Sequence, residues 1–170
     1  MSEIPASPEF EAPETTPLSV PSEYGPALDR LIELATDEIV VFDRDLKDGD
    51  WGSLSRMAAL RRFFLSPRRT RMQIIVHETQ HIERSLPRLG LLLREFSHKL
   101  EILRTIEDGR NAWDAFALAD NRHLVHRFHL DSARGEISIG NPKKTRGLRE
   151  RYDEILVFTE PGVNGTQLGL

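Results

Sequence analysis

The stretch Arg71–Ile82 reads RMQIIVHETQHI, and two local structures compete for it. As one continuous helix it would set His77 and His81 on a single face with Glu78 beside them, the HExxH arrangement of a zinc-dependent hydrolase. As a strand followed by a turn, MQIIV is an unbroken series of β-branched and long apolar residues, which fits a sheet covered on both faces. The strand reading is adopted here. It leaves His77 at a strand end and His81 in the loop or helix start that follows. A metzincin would also need Gly at 84 and His at 87, where the chain has Arg84 and Pro87. Zinc hydrolysis through His77, Glu78 and His81 is kept as an alternative, and it requires an unbroken helix across both histidines.

Toward the N-terminus, Glu38-IVVF-Asp43 is a second buried run, and Leu28, Leu31, Ile32 and Ala35 before it share one helical face. Between the two runs Ser53 can cap a helix carrying Leu54, Met57, Ala58, Leu60 and Phe64, which Pro67 ends. Strand, helix, strand in that order predicts a crossover to a parallel neighbour. Toward the C-terminus, Ile82, Leu86, Leu89, Leu93 and Phe96 keep helical spacing, with Pro87 either kinking the helix or marking a first turn. Leu100 to Leu103 gives a third strand. The runs at 115–119, 124–128 and 136–139 read as further strands, so the sheet is predicted to be mixed. Leu148, Tyr152, Ile155, Leu156 and Thr159 fall on one stripe, which predicts a closing helix from about Lys143 to Thr159, stopped by Pro161-Gly162.

A chain of 170 residues suits one domain with a real core. The absence of cysteine excludes disulfide frameworks and thiolate chemistry and suits a reducing compartment. With no basic start followed by an apolar run and no long apolar segment, a cytoplasmic protein without membrane contact is expected. The net charge of −4 is uneven, because residues 1–24 hold five glutamates and five prolines with no Lys or Arg. That composition predicts a disordered acidic leader over 1–24 and a folded domain over 25–170.

His123, His126 and His129 recur every third residue, but on a strand His126 would point away from the other two, so no metal site is expected there. No phosphate loop, no GxSxG elbow and no paired-carboxylate signature occurs, and no cofactor is expected.

FDRDL at 42–46, VHE at 76–78, AFALAD at 115–120 and the closing TEP…QLGL resemble an uncharacterised bacterial phospholipase D-like domain of the kind found behind GNAT-type acetyltransferase domains. The resemblance implies an α/β fold, a phospholipase D-like single lobe with a mixed sheet covered by helices on both faces. It also implies a His-x-Lys-(x)4-Asp active-site motif. Setting the motif's aspartate on Asp120 puts the nucleophilic histidine position on Trp113 and the lysine position on Ala115. Neither residue offers the required chemistry, so the motif is degenerate and no catalytic residue is assigned.

The expected function is therefore a noncatalytic binding or interaction module. Its expected partners are a second copy of the chain, giving a homodimer, or a GNAT-type acetyltransferase. The candidate ligand or interface residues are Arg44, Asp45, His77, Arg104, Asp120 and Asn141, each near a strand end or, for Asn141, near a polar position of the resembled family. Weak binding of nucleic acid or phosphate is a further alternative. It would use Arg61, Arg62, Arg68, Arg69 and Arg71, or the group from Lys143 to Arg151, although the overall charge does not favour nucleic acid.

Overall fold

The structure, a computed structural model, describes residues 12–165. Its strands are β1 Glu14–Leu18, β2 Glu38–Asp43, β3 Arg71–Val76, β4 Leu100–Thr105, β5 Ala115–Ala119, β6 His123–Arg127, β7 Gly135–Ile139 and β8 Thr159–Val163. Its α-helices are α1 Tyr24–Leu34, α2 Leu54–Leu65, α3 Gln80–Ser85, α4 Pro87–Glu95 and α5 Pro142–Val157. The strands form one mixed sheet in the order β1-β7-β6-β5-β2-β3-β4-β8. In the centre β2, β3 and β4 run parallel, with Val41 beside Ile74 and Ile74 beside Ile102. On the other side β5 pairs antiparallel with β2, Phe42 facing Phe116, and β6 pairs antiparallel with β5, Ala115 facing Arg127.

The continuous apolar runs are explained by cover on both faces. Alternate residues Ile39, Val41, Met72, Ile74 and Val76 pack with side chains of α1 to α4, while Val40, Phe42, Ile75, Phe116 and Leu118 pack against Tyr152 and Ile155 of α5. Burying each such side chain contributes about 1.5–3 kcal/mol, so a polar residue in these runs has a stability cost unless it is bonded. The helix starts follow local chemistry. Ser53 accepts from the Arg56 amide at 3.2 Å, Asn141 accepts from the Lys144 amide at 3.1 Å, and Pro87 opens α4, dividing the expected long helix in two. No helix among the described residues is long and apolar enough to cross a membrane.

Two expectations need correction. The acidic leader expected over 1–24 is too long, because Glu14–Leu18 is a strand paired antiparallel with β7, and α1 already begins at Tyr24. Acidic, proline-rich composition averaged over 24 residues concealed Leu18 and Tyr24, both buried, and an edge position tolerates Pro17 because one side of the strand makes no ladder. Residues 1–11 of that leader lie outside the described residues. The closing helix stops at Val157, not Thr159, and Thr159–Val163 becomes an edge strand on β4 despite Pro161-Gly162. A Cβ on Gly162 would lie 3.0 Å from the Ile102 carbonyl oxygen, so glycine allows the close approach at the bulge between Ile102 and Leu103.

Candidate binding site at the carboxyl edge of the sheet

Strand directions bring the carboxyl ends of β2, β3, β4 and β6 and the amino end of β5 to one edge of the sheet. Of the residues singled out from sequence, Arg44, Asp45, His77 and Arg104 meet there. Asp120 and Asn141 lie at the opposite edge with fixed local tasks. The Asp120 carboxylate accepts from the amides of Thr36, Asp37 and Glu38 at 2.8–2.9 Å, with Asp120 itself at φ 55°, and Asn141 caps α5.

His77 follows β3 immediately and α3 begins only at Gln80, so the helix that zinc ligation by HExxH requires is missing. The His77 ring is also fully engaged, with Nδ1 2.7 Å from Thr105 Oγ1 and Nε2 2.7 Å from the Ala112 carbonyl oxygen. Burial pushes its pKa below the ordinary value, and the nearby charges of Arg110 and Arg44 act in the same direction. Among the described residues, no three His, Asp or Glu side chains converge as metal ligands.

A second histidine is engaged at one ring nitrogen. His126 Nε2 lies 2.7 Å from Asp114 Oδ2, and Arg151 of α5 grips both oxygens of that carboxylate, Nη2 to Oδ1 at 2.5 Å. Burial alone would raise the Asp114 pKa, but the hydrogen bonds from His126 and Arg151 outweigh it and hold the carboxyl down at about 2.

What this edge offers to solvent is of a different kind. Trp113 is 56% exposed and Phe128 50%, with the rings of Phe128 and His126 edge to face. The Leu130 amide donates to the Trp113 carbonyl, and Arg44 pairs loosely with Asp131 at 3.5 Å, so Trp113 and Arg44 belong to one rim. Arg110 and Arg104 line a cleft of about 240 Å³ next to His77, and Arg104 is paired with Glu160. A second cleft of about 140 Å³ is lined by Asp43, Arg44, Asp45, Lys47, Asp48 and Arg127. A larger cleft of about 420 Å³ sits away from this edge, between β8 and the start of β4.

Three participants were not found from sequence. Asp43 and Arg127 read as strand-end charges, and Asp114 gave no signal because its partner Arg151 is 37 residues away. Trp113, half exposed just before β5, and Ala115, buried as its first residue, are the positions to which the resemblance assigns a histidine and a lysine.

The eight-stranded mixed sheet with helices on both faces is a phospholipase D-like lobe. It is similar to Nuc, a phospholipase D family member from Salmonella typhimurium, at TM-score 0.59 and 14% identity over 88% of this chain and 98% of that one. NucT from Helicobacter pylori gives 0.57 and 12% over 88% and 99%. TrmBL2, an archaeal chromatin protein with a novel mode of DNA binding, gives 0.62 and 12% over 93% of this chain, which spans 56% of TrmBL2. At such identities the likeness defines the fold alone. No curated protein sequence matches the chain. The chain belongs to the family described as Domain of unknown function (DUF7931), which matches residues 21–159.

Proposed function

We propose that this protein is a noncatalytic interaction module, a phospholipase D-like lobe whose catalytic histidine and lysine are replaced by Trp113 and Ala115. The observation that carries the reading is the division of labour at the carboxyl edge. The groups suited to acid, base or nucleophilic chemistry, His77, His126 and Asp114, are committed to internal bonds, while an indole and guanidinium groups face outward. A general base must reach the proton it abstracts; the His77 ring, bonded at both nitrogens, cannot, and His126 holds Asp114 with its Nε2. Tryptophan and arginine, by contrast, are the side chains that dominate protein interfaces. The partner is a protein surface, a second copy of this chain or a GNAT-type acetyltransferase, and the protein acts in the bacterial cytoplasm.

Nucleic acid is the second reading, supported by the likeness to TrmBL2 and by base stacking, which an exposed Trp113 at an edge that also carries Arg44 and Arg110 would suit. Carboxylates at the same rim, Asp131 and Glu78, make it the weaker one.

Trp113 is itself the reporter in a Trp51→Phe background, which removes the other, buried indole. Emission from Trp113 is expected to shift to the blue with rising protein concentration or on adding a GNAT-type acetyltransferase, and bis(4-nitrophenyl) phosphate is expected to stay intact. A blue shift with single-stranded DNA alone, weakening with salt, would favour the second reading. Phosphodiester turnover lost in His77→Ala or His126→Ala would overturn the noncatalytic assignment.

A further inference from the structure

Among the described residues, three buried side-chain polar atoms have no hydrogen-bond partner: Asp43 Oδ2, Arg127 Nε and Trp51 Nε1. Buried polar groups are nearly always bonded, and two of these exceptions, Asp43 and Arg127, line one cleft, which requires an explanation. Asp43 ends β2 one position beyond the last β2–β5 pair, Phe42 with Phe116, and Arg127 ends β6 paired with Ala115, both on the face of the sheet that packs α1. The methyl group of Ala115 leaves the carboxylate and the guanidinium on either side of it unjoined. Arg127 is held outward instead, Nη1 by Asp48 at 2.9 Å and Nη2 by the Leu130 carbonyl at 2.5 Å, with its guanidinium over the Tyr24 ring.

Asp48 and Trp51 belong to the loop 44–52 that follows β2. That loop turns at Leu46, a buried leucine at φ 62°, a conformation a bulky side chain adopts only under constraint. Its far end is fixed by Arg56, fully buried, which bonds the carbonyls of Gly49 and Gly25.

We propose that Asp43 and Asp48 compete for Arg127, so that the protonation state of Asp43 latches or releases loop residues 45–50 beside the binding rim, while Arg44 stays anchored through its carbonyl to the His77 and Glu78 amides. With Asp43 neutral, Arg127 belongs to Asp48 and the loop is closed over the cluster, as in the structure. With Asp43 ionised, the guanidinium turns inward across Ala115 to the orphaned Oδ2, Asp48 is freed to solvent, and the strain at Leu46 favours opening. The other charged or titratable groups facing Asp43 are Tyr24 from α1 and Arg44, Asp45 and Lys47 from the loop, with Arg56 of α2 behind Tyr24. Burial raises the Asp43 carboxyl to about 6, and the attraction of Arg127 only partly opposes this, so the changeover falls near neutrality.

This regulation rests on the reading of the edge as a binding surface, since the loop carries Lys47 and Asp48 into the cleft that Arg44 shares. Amide hydrogen exchange of residues 45–50, corrected for intrinsic rates, tests it without any partner. In the wild type, protection is expected to fall as the pH rises from 5 to 7.5, with a midpoint near 6. Asp43→Asn should keep the protected state throughout, and Asp48→Asn the open one. Arg127→Met, which removes the cation for which the two acids compete, should also abolish the transition. Protection that is flat with pH in the wild type, or a midpoint that survives in Asp43→Asn, overturns the latch. Because no ligand is present, a failed Trp113 titration would sink the binding reading and leave this result standing. If both hold, partner binding weakens as the pH rises through about 6.

Discussion

Replacing Asp43 with asparagine is expected to stabilise the protein at neutral pH. The carboxyl group is 2% exposed, ordinarily titrates near 3.8 and is raised by burial to about 6. A raised carboxyl binds its proton more tightly in the folded state, so its contribution is complete below pH 3.8 and declines as the pH climbs to about 6, above which it is constant. At about 1.4 kcal/mol per pH unit, that interval corresponds to about 3 kcal/mol of stability missing at pH 7.5. Asparagine is isosteric and neutral and keeps an oxygen for the Asp45 amide, which Asp43 Oδ1 meets at 3.4 Å. Urea denaturation followed by circular dichroism should show the two proteins nearly equal at pH 4 and the variant ahead by up to about 3 kcal/mol at pH 7.5. A variant that is less stable at pH 7.5, or a difference independent of pH, would refute the reasoning. A residue that costs stability where the protein works belongs with function, since strained or desolvated groups cluster at sites.

Asp114 should behave in the opposite sense. Burial opposes its ionisation but the bonds from His126 and Arg151 hold its carboxyl at about 2, so its contribution is present above 3.8 and is lost as the pH falls from 3.8 toward 2. Asp114→Asn should lose about 2 kcal/mol in denaturant at pH 7, with the gap closing in acid. Asp120→Ala removes the acceptor for three amides at the start of β2 and should lower stability by about 2–4 kcal/mol, whereas Asp120→Asn, which tolerates φ 55° and keeps one oxygen, should lose less than half of that in the same thermal melts. Gly135→Ala should give insoluble protein or an early melt, because its Cβ would lie 2.2 Å from the His126 carbonyl oxygen across the β6–β7 ladder.

Hydrophobic pattern carried most of the architecture. The runs at 38–43, 72–76 and 115–119 are apolar at successive positions because helices cover both faces, and that is visible one residue at a time. The same pattern settled the opening stretch, since MQIIV in a central strand puts His77 at its end and leaves no helix to hold zinc. Periodicity faltered at the sheet's two outer strands. Glu14–Leu18 and Thr159–Val163 pair on one side only and bury few side chains, so Pro17, Pro161 and Gly162 are tolerated there although each reads as a breaker.

The candidate site divides in the same way. Sequence by itself determined that the chain has a buried mixed sheet and that Arg44, Asp45 and His77 stand at strand ends. Those facts depend on residue type and on spacing within a single element. Only the tertiary structure decided that His77 spends both ring nitrogens on Thr105 and Ala112, that Asp114 meets Arg151, and that Asp43 and Arg127 line one cleft, each with an unbonded polar atom. Partners in a sheet are set by strand order and register, and for charged side chains dozens of residues apart no local preference encodes which of several opposite charges will be reached.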